Sequence, residues 1–189
     1  IEYWLLEEAK LQRMPKPKSL NGRVALITGS GGGIGKAIAK KFAEEGACII
    51  LSDNNLERLN DAKAEFIHLF GRDHVSGEMM DVTDVETIEK SMKNASLTFG
   101  GIDIIVNNAG ISISKSMEDH TVKDWDLLYD ILVKGQFLVT QQGIEIMRKQ
   151  GFGGDILNIV SKNALVSGPN NAGYGSAKAA QLHLARLNA

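Results

Sequence analysis

From Arg23 onward the chain alternates short apolar runs with longer amphipathic segments, and no other feature constrains its fold as much. The apolar runs predict strands over 24–28, 48–52, 75–80, 102–106 and 156–160. Helical spacing between and after them predicts helices over 34–45, 56–70, 85–99, 123–149 and 174–187. A helix between successive strands acts as a crossover, so the strands lie parallel and helices cover both faces of the sheet. The expected class is therefore α/β, a doubly wound parallel sheet of the Rossmann type. With 189 residues, 43% of them hydrophobic, the chain is long enough to bury the core of one such domain.

A different segment precedes this alternation. Ile1, Trp4, Leu5 and Glu8 recur at helical spacing up to Met14, and Pro15-Lys16-Pro17-Lys18 ends the run. Residues 1–19 thus read as an N-terminal helix and a Pro/Lys linker, either a packing helix or a connection from an upstream domain, with a membrane or partner helix as the lesser reading. The start on Ile1 rather than Met is expected of a piece of a longer polypeptide. Residues 20–189 read as the main domain.

Charge and composition exclude several partners. A formal charge of −2 gives no global attraction to nucleic acid or acidic membranes. No apolar run approaches the roughly 18 residues of a membrane span, and the N-terminus lacks the order of a secretory signal, so the chain reads as soluble and cytoplasmic. Cys48 is the lone cysteine, which precludes an internal disulfide and favours a buried, inert thiol in a reducing compartment. His68, His74, His120 and His183 lack metal-ligand spacing, and no metal is expected.

The first chemical signal is Thr28-Gly29-Ser30-Gly31-Gly32-Gly33-Ile34-Gly35, where the first strand turns into the first helix of the alternation. Residues without a Cβ let the backbone approach a pyrophosphate, and the helix N-terminus offers free N–H groups and a positive dipole end. The common G-x-G-x-x-G spacing does not fit, whereas T-G-x-x-x-G-x-G does. A plain flexible loop is the alternative. Asp53 ends the second strand, where a carboxylate accepts hydrogen bonds from the adenosine ribose hydroxyls and repels a ribose phosphate. No Arg lies among Ser30, Gly31 and Gly32, and Asn54 follows Asp53, so nothing obvious neutralises a phosphate and NAD is preferred over NADP. Asp53 also suits a helix N-cap, a role compatible with the first.

Thr28 to Gly35, Asp81-Val82 after the third strand, Asn107-Asn108-Ala109-Gly110 after the fourth, Ser161 after the fifth, and Tyr174-Gly175-Ser176-Ala177-Lys178 follow one another in the order of the short-chain dehydrogenases/reductases. The resemblance spans about residues 20–189. It implies a nicotinamide cofactor held by Gly29, Gly33, Ile34, Gly35, Asp53, Asp81, Val82, Asn108, Ala109 and Gly110, together with Tyr174 and Lys178. Asp81 and Val82 would sit by the adenine, and residues 107–110 would stabilise the central strands. Taken singly, Asp81 is a helix-capping residue and 107–110 a turn.

Tyr174 and Lys178 lie four apart and project from one face of a helix. A free tyrosine, with a pKa of about 10, is a poor base at neutral pH, but a neighbouring ammonium and an oxidised nicotinamide both favour the phenolate. The hydroxyl of Ser161 could hydrogen-bond the substrate oxygen and the charge that develops on it. By the resemblance, Ser161 orients the substrate, Tyr174 exchanges the proton, and Lys178 assists Tyr174 and binds the nicotinamide ribose. A surface Tyr and Lys on an amphipathic helix is the plain alternative.

Two departures stand out. The family usually has an asparagine in a stretch like D-x-N-x-x-G, and here Asp130-Ile131-Leu132-Val133-Lys134-Gly135 places Leu132 there. Leucine can neither hold a water nor relay a proton, so an altered but active site is expected, with Asn163, Asn170 and Asn171 as substitutes or as turn formers around Gly168-Pro169-Asn170. The chain also ends inside the helix that carries Tyr174, whereas the resembling fold continues, so a C-terminally truncated domain is expected. The prelude, the linker and the stretch from Ser161 to Asn170 are similar to the dehydrogenase half of bifunctional rhamnulose-phosphate aldolase/alcohol dehydrogenases. That implies a small hydroxy-aldehyde such as lactaldehyde and an aldolase domain upstream of Ile1. The resemblance also implies a homo-oligomer built on helices 123–149 and 174–187. The expected function is an NAD-dependent oxidoreductase acting on a small alcohol or aldehyde; the alternative is a dinucleotide-binding module without turnover.

Overall fold

The computed structural model describes residues 2–13, 18–166 and 168–188. Its elements are α1 (Tyr3–Arg13), β1 (Val24–Thr28), α2 (Gly33–Glu44), β2 (Cys48–Asp53), α3 (Leu56–Phe70), β3 (Val75–Met79), α4 (Val85–Phe99), β4 (Ile104–Asn107), α5 (Val122–Tyr129), a π segment (Asp130–Lys134), α6 (Gly135–Gln150), β5 (Asp155–Asn158) and α7 (Ala172–Leu187). The strands pair in the order β3-β2-β1-β4-β5, and every pairing is parallel. This is the expected α/β doubly wound sheet.

Successive residues of β1 feed two cores, because side chains alternate across a strand. Ala25 and Ile27 pack with Ala39, Leu59 and Phe66 of α2 and α3. Val24 and Leu26 pack with Ile88 and Met92 of α4 and Val139 of α6. Burial on both faces is why the central strands read as unbroken apolar runs.

Several element ends shift by one or two residues from expectation, and three differences have identifiable reasons. β4 starts at Ile104 rather than 102, because the backbone of Ile102 is satisfied by the Gln150 side chain, which accepts from its N–H at 2.8 Å and donates to its carbonyl at 3.0 Å. β5 runs Asp155–Asn158, after which the carbonyl of Ile159 turns to a lysine of α7. The helix expected over 123–149 is divided by the π segment. Helix starts are capped by side chains at Asn55, Asp84 and Thr121, and Asp124 closes a capping box with Thr121. Gly32, before α2, makes no side-chain cap.

The expected N-terminal helix forms as α1, and none of its residues is buried. Pro15, Lys16 and Pro17 of the linker lie outside the described residues. Cys48 is half-buried rather than fully buried, and burial pushes its thiol pKa up. Among the described residues no helix is long and apolar enough to cross a membrane, and β5 has a strand neighbour, β4, on one side only.

Candidate active site

α2 leaves β1 toward one face of the sheet, and the chain after β4 passes to α6 on the other. The two departures open a cleft at the carboxyl ends of β1 and β4, where doubly wound folds take their ligands. Its volume is about 570 Å³. Gly29, Gly33, Ile34, Asp53, Asp81, Val82, Asn108, Ala109 and Gly110 all line it, so nine positions expected at the cofactor meet on one surface. Gly35, Ser161, Tyr174 and Lys178 are not among its walls.

The glycine loop is shaped by contact as much as by freedom. Gly29 adopts φ +64°, and a Cβ there would stand 2.9 Å from the Cα of Ala109. A Cβ on Gly35 would lie 2.6 Å from the carbonyl oxygen of Gly29 and closer still to Asn108 Nδ2. Gly35 therefore acts from beneath the loop, by letting α2 pack tightly. Thr28 Oγ1 accepts from the N–H groups of Asn108 and Ala109, each at 3.0 Å, while Asn108 Nδ2 donates to the carbonyls of Thr28 and Gly29. These bonds lock the exits of β1 and β4 together. Asn107 Nδ2 extends the lock to Thr140 of α6 and Asn158 of β5, in keeping with the expected support of the central strands. No side chain caps α2, and Gly32, Gly33 and Ile34 at its start line the cleft, so first-turn N–H groups are left there as donors that suit an anion.

Asp53 is buried at the end of β2. Its Oδ2 accepts from Gly31 N–H at 3.1 Å and its Oδ1 from Asn55 N–H at 2.9 Å. The N-cap of α3 is Asn55, whose Oδ1 accepts from Arg58 N–H, so Asp53 does not cap the helix. The expectation that no basic residue stands near is corrected: Arg58 lines the cleft and its Nη2 lies 3.6 Å from Asp53 Oδ1. The pairing follows from the cap, since a first-turn side chain three residues past Asn55 folds back over the strand end. Asp81 is likewise not the cap of α4, a role held by Asp84; its Oδ1 binds the N–H and hydroxyl of Thr83 in a tight turn.

The other group of expected residues gathers between β5 and α7. Lys178 is buried; its Nζ donates to the Ile159 carbonyl at 2.8 Å and lies 5.7 Å from the centre of the Tyr174 ring. Burial lowers its pKa to about 8. Tyr174 is half-buried on the first turns of α7. Ser161 follows β5, and its Oγ accepts from Asn163 N–H at 3.2 Å, which leaves the hydroxyl proton available.

Leu132 sits in the π segment, fully buried, in an apolar cluster with Leu128, Ala177 and the Tyr174 ring. A Cβ on Gly110 would stand 2.8 Å from its Cδ2, so the leucine fills the space beside the cleft wall. Among the suggested substitutes, Asn163 serves Ser161 through its backbone, while Asn170, at φ +58°, forms the turn and accepts from Lys115 N–H. Turn formation is the role the structure gives to Asn170.

The sequence profile described as short chain dehydrogenase matches residues 23–189. The chain is 39% identical over 186 residues to the uncharacterized oxidoreductase YuxG of Bacillus subtilis, covering 98% of this chain and 27% of that relative. It is 35% identical over 161 residues to an uncharacterized oxidoreductase of Staphylococcus aureus strain USA300, covering 85% of this chain and 68% of the relative. Among solved structures it is similar to a short-chain type dehydrogenase/reductase from Mycobacterium marinum, with a TM-score of 0.85 and 31% identity over 90% of this chain and 67% of that one. LigO of Sphingobium sp. strain SYK-6 is similar at a TM-score of 0.84 and 30% identity, over 89% of this chain and 62% of that one. Fold and cleft define a doubly wound α/β domain with a glycine-lined cleft at the carboxyl ends of its strands. The chain belongs to the short-chain dehydrogenases/reductases, a family of oxidoreductases that bind a nicotinamide dinucleotide.

Proposed function

We propose that this chain carries the cofactor site and the acid/base group of an NAD-dependent oxidoreductase acting on a small alcohol, aldehyde or hydroxy-carbonyl compound. The observation that carries the reading is the position of Lys178: buried, tied to Ile159 at the exit of β5, and beside the Tyr174 ring. A lysine held there at the cost of desolvation supports a chemical role over a packing one.

The residues divide the work. The donors at the start of α2 and the glycine loop suit the pyrophosphate, and Asp53 suits the adenosine ribose. When bound, nicotinamide supplies the hydride acceptor or donor. In the oxidation direction the substrate C–H bond breaks with its electron pair leaving as hydride, and the hydroxyl proton passes to the Tyr174 oxygen; reduction reverses both transfers. Ser161 holds the substrate oxygen and steadies its developing charge. Lys178 keeps positive charge beside the phenolic group and reaches the nicotinamide ribose.

A hydroxy-aldehyde substrate and an aldolase domain in the same polypeptide belong to this proposal. Their support is the resemblance of the prelude and of Ser161 to Asn170, together with a YuxG match that covers 98% of the chain and so reaches into α1. The test is Tyr174→Phe in the parent polypeptide, assayed by NAD reduction over small alcohols and hydroxy-aldehydes. Turnover should fall roughly 10²–10⁴-fold, with NAD affinity nearly unchanged, since phenylalanine keeps the ring and removes the acid. A variant that retains more than about a tenth of the rate would route the proton through another group. No turnover by the wild type on any substrate of the panel would favour a binding module.

A further inference from the structure

Arg58 stands at the place where the two nicotinamide dinucleotides differ. It lines the same cleft as Asp53, and its Nη2 lies 3.6 Å from Asp53 Oδ1. The start of its side chain is fixed. The backbone N–H is held by Asn55 Oδ1 at 2.9 Å, and its Cβ lies 3.1 Å from where a Cβ on Gly31 would be. The guanidinium is not fixed, because the side chain is 62% exposed. Asp53, by contrast, is buried and held by Gly31 and Asn55 N–H groups.

A fixed carboxylate beside a movable guanidinium presents two faces to a ribose. To a ribose diol the carboxylate offers its remaining lone pairs, and Arg58 need only stay where it is. To a 2′-phosphate the carboxylate alone is repulsive, but the paired Arg58 cancels that charge locally and its planar fork matches phosphate oxygens. A short rotation of an exposed side chain exchanges one arrangement for the other.

We propose that Arg58 is a cofactor-specificity residue that lets the Asp53 site accept NADP, so that the preference for NAD is narrower than Asp53 alone would set. This rests on the reading of the cleft as the dinucleotide site. The test is calorimetric titration of NAD and of NADP into the parent polypeptide as wild type, Arg58→Gln, Asp53→Asn and the double variant, a cycle that separates the two residues. Arg58→Gln should weaken NADP binding at least about tenfold more than NAD binding, and do so again in the Asp53→Asn background. Asp53→Asn alone should bind NADP at least as tightly as NAD, a result that retained NAD binding certifies as coming from a folded protein. An unchanged NADP-to-NAD ratio in Arg58→Gln would overturn the proposal and leave Arg58 as a surface partner of Asp53. Wild type that binds neither dinucleotide would instead overturn the reading of the cleft, and this inference with it.

Discussion

At the scale of the residue, Lys178 shows what the site demands of the fold. An ammonium buried to 5% exposure has one carbonyl, that of Ile159, as its hydrogen-bond partner, and burial brings its pKa down to about 8. The folded protein therefore releases this proton more readily than the unfolded chain, whose lysine keeps the ordinary value of 10.5. Between those values the unfolded state binds more protons, so stability rises with pH across that window. Lys178→Met keeps most of the stem and removes the titration. We expect the melting temperature of wild type, minus that of Lys178→Met, to increase between about pH 7 and about pH 10 in scanning calorimetry. A difference that stays flat would mean that the lysine is solvated in the folded state. The same variant should weaken NAD binding, which Tyr174→Phe should not.

At the scale of the element, the segment between β4 and β5 carries the departure from the resembling family's pattern at Leu132. Leu132 is fully buried where the pattern has asparagine, and it is surrounded by Leu128, Ala177 and the Tyr174 ring. Restoring the polar residue as Leu132→Asn would strand an amide among apolar neighbours, at a cost of about 2–4 kcal/mol from lost transfer energy and desolvation. The expected outcome is a melting temperature lower by roughly 5–15 °C; an unchanged value would reveal a polar partner for residue 132. The strands and helices were legible because apolar spacing records which faces are buried, and the limits of α3 and α4 coincide with those expected. The π segment was not legible. A single widened turn shifts the helical phase once, by about 100°, and a spacing count taken over the whole of 123–149 does not locate it. Arg58 was hidden for another reason. Five positions separate it from Asp53 along the chain, and only the cap at Asn55 folds the first turn of α3 back over β2.

At the scale of the whole molecule, α5, α6 and α7 form one flank, and Trp125 and Phe137 on it remain substantially exposed. A homo-oligomer formed through these helices is the proposed assembly, and light scattering of the parent polypeptide should give a mass of at least two chains; a monomer at all concentrations would reject it. The other exposed feature of this side is β5, whose neighbour among the described residues is β4 alone, and whose Leu157 points to solvent. A parallel strand open along one side carries backbone donors and acceptors spaced for any extended peptide. The choice of what pairs there is made by proximity, not by the cofactor or the catalytic groups. A strand from the same polypeptide has a fixed effective concentration, whereas a strand from another molecule competes in proportion to how crowded the solution is.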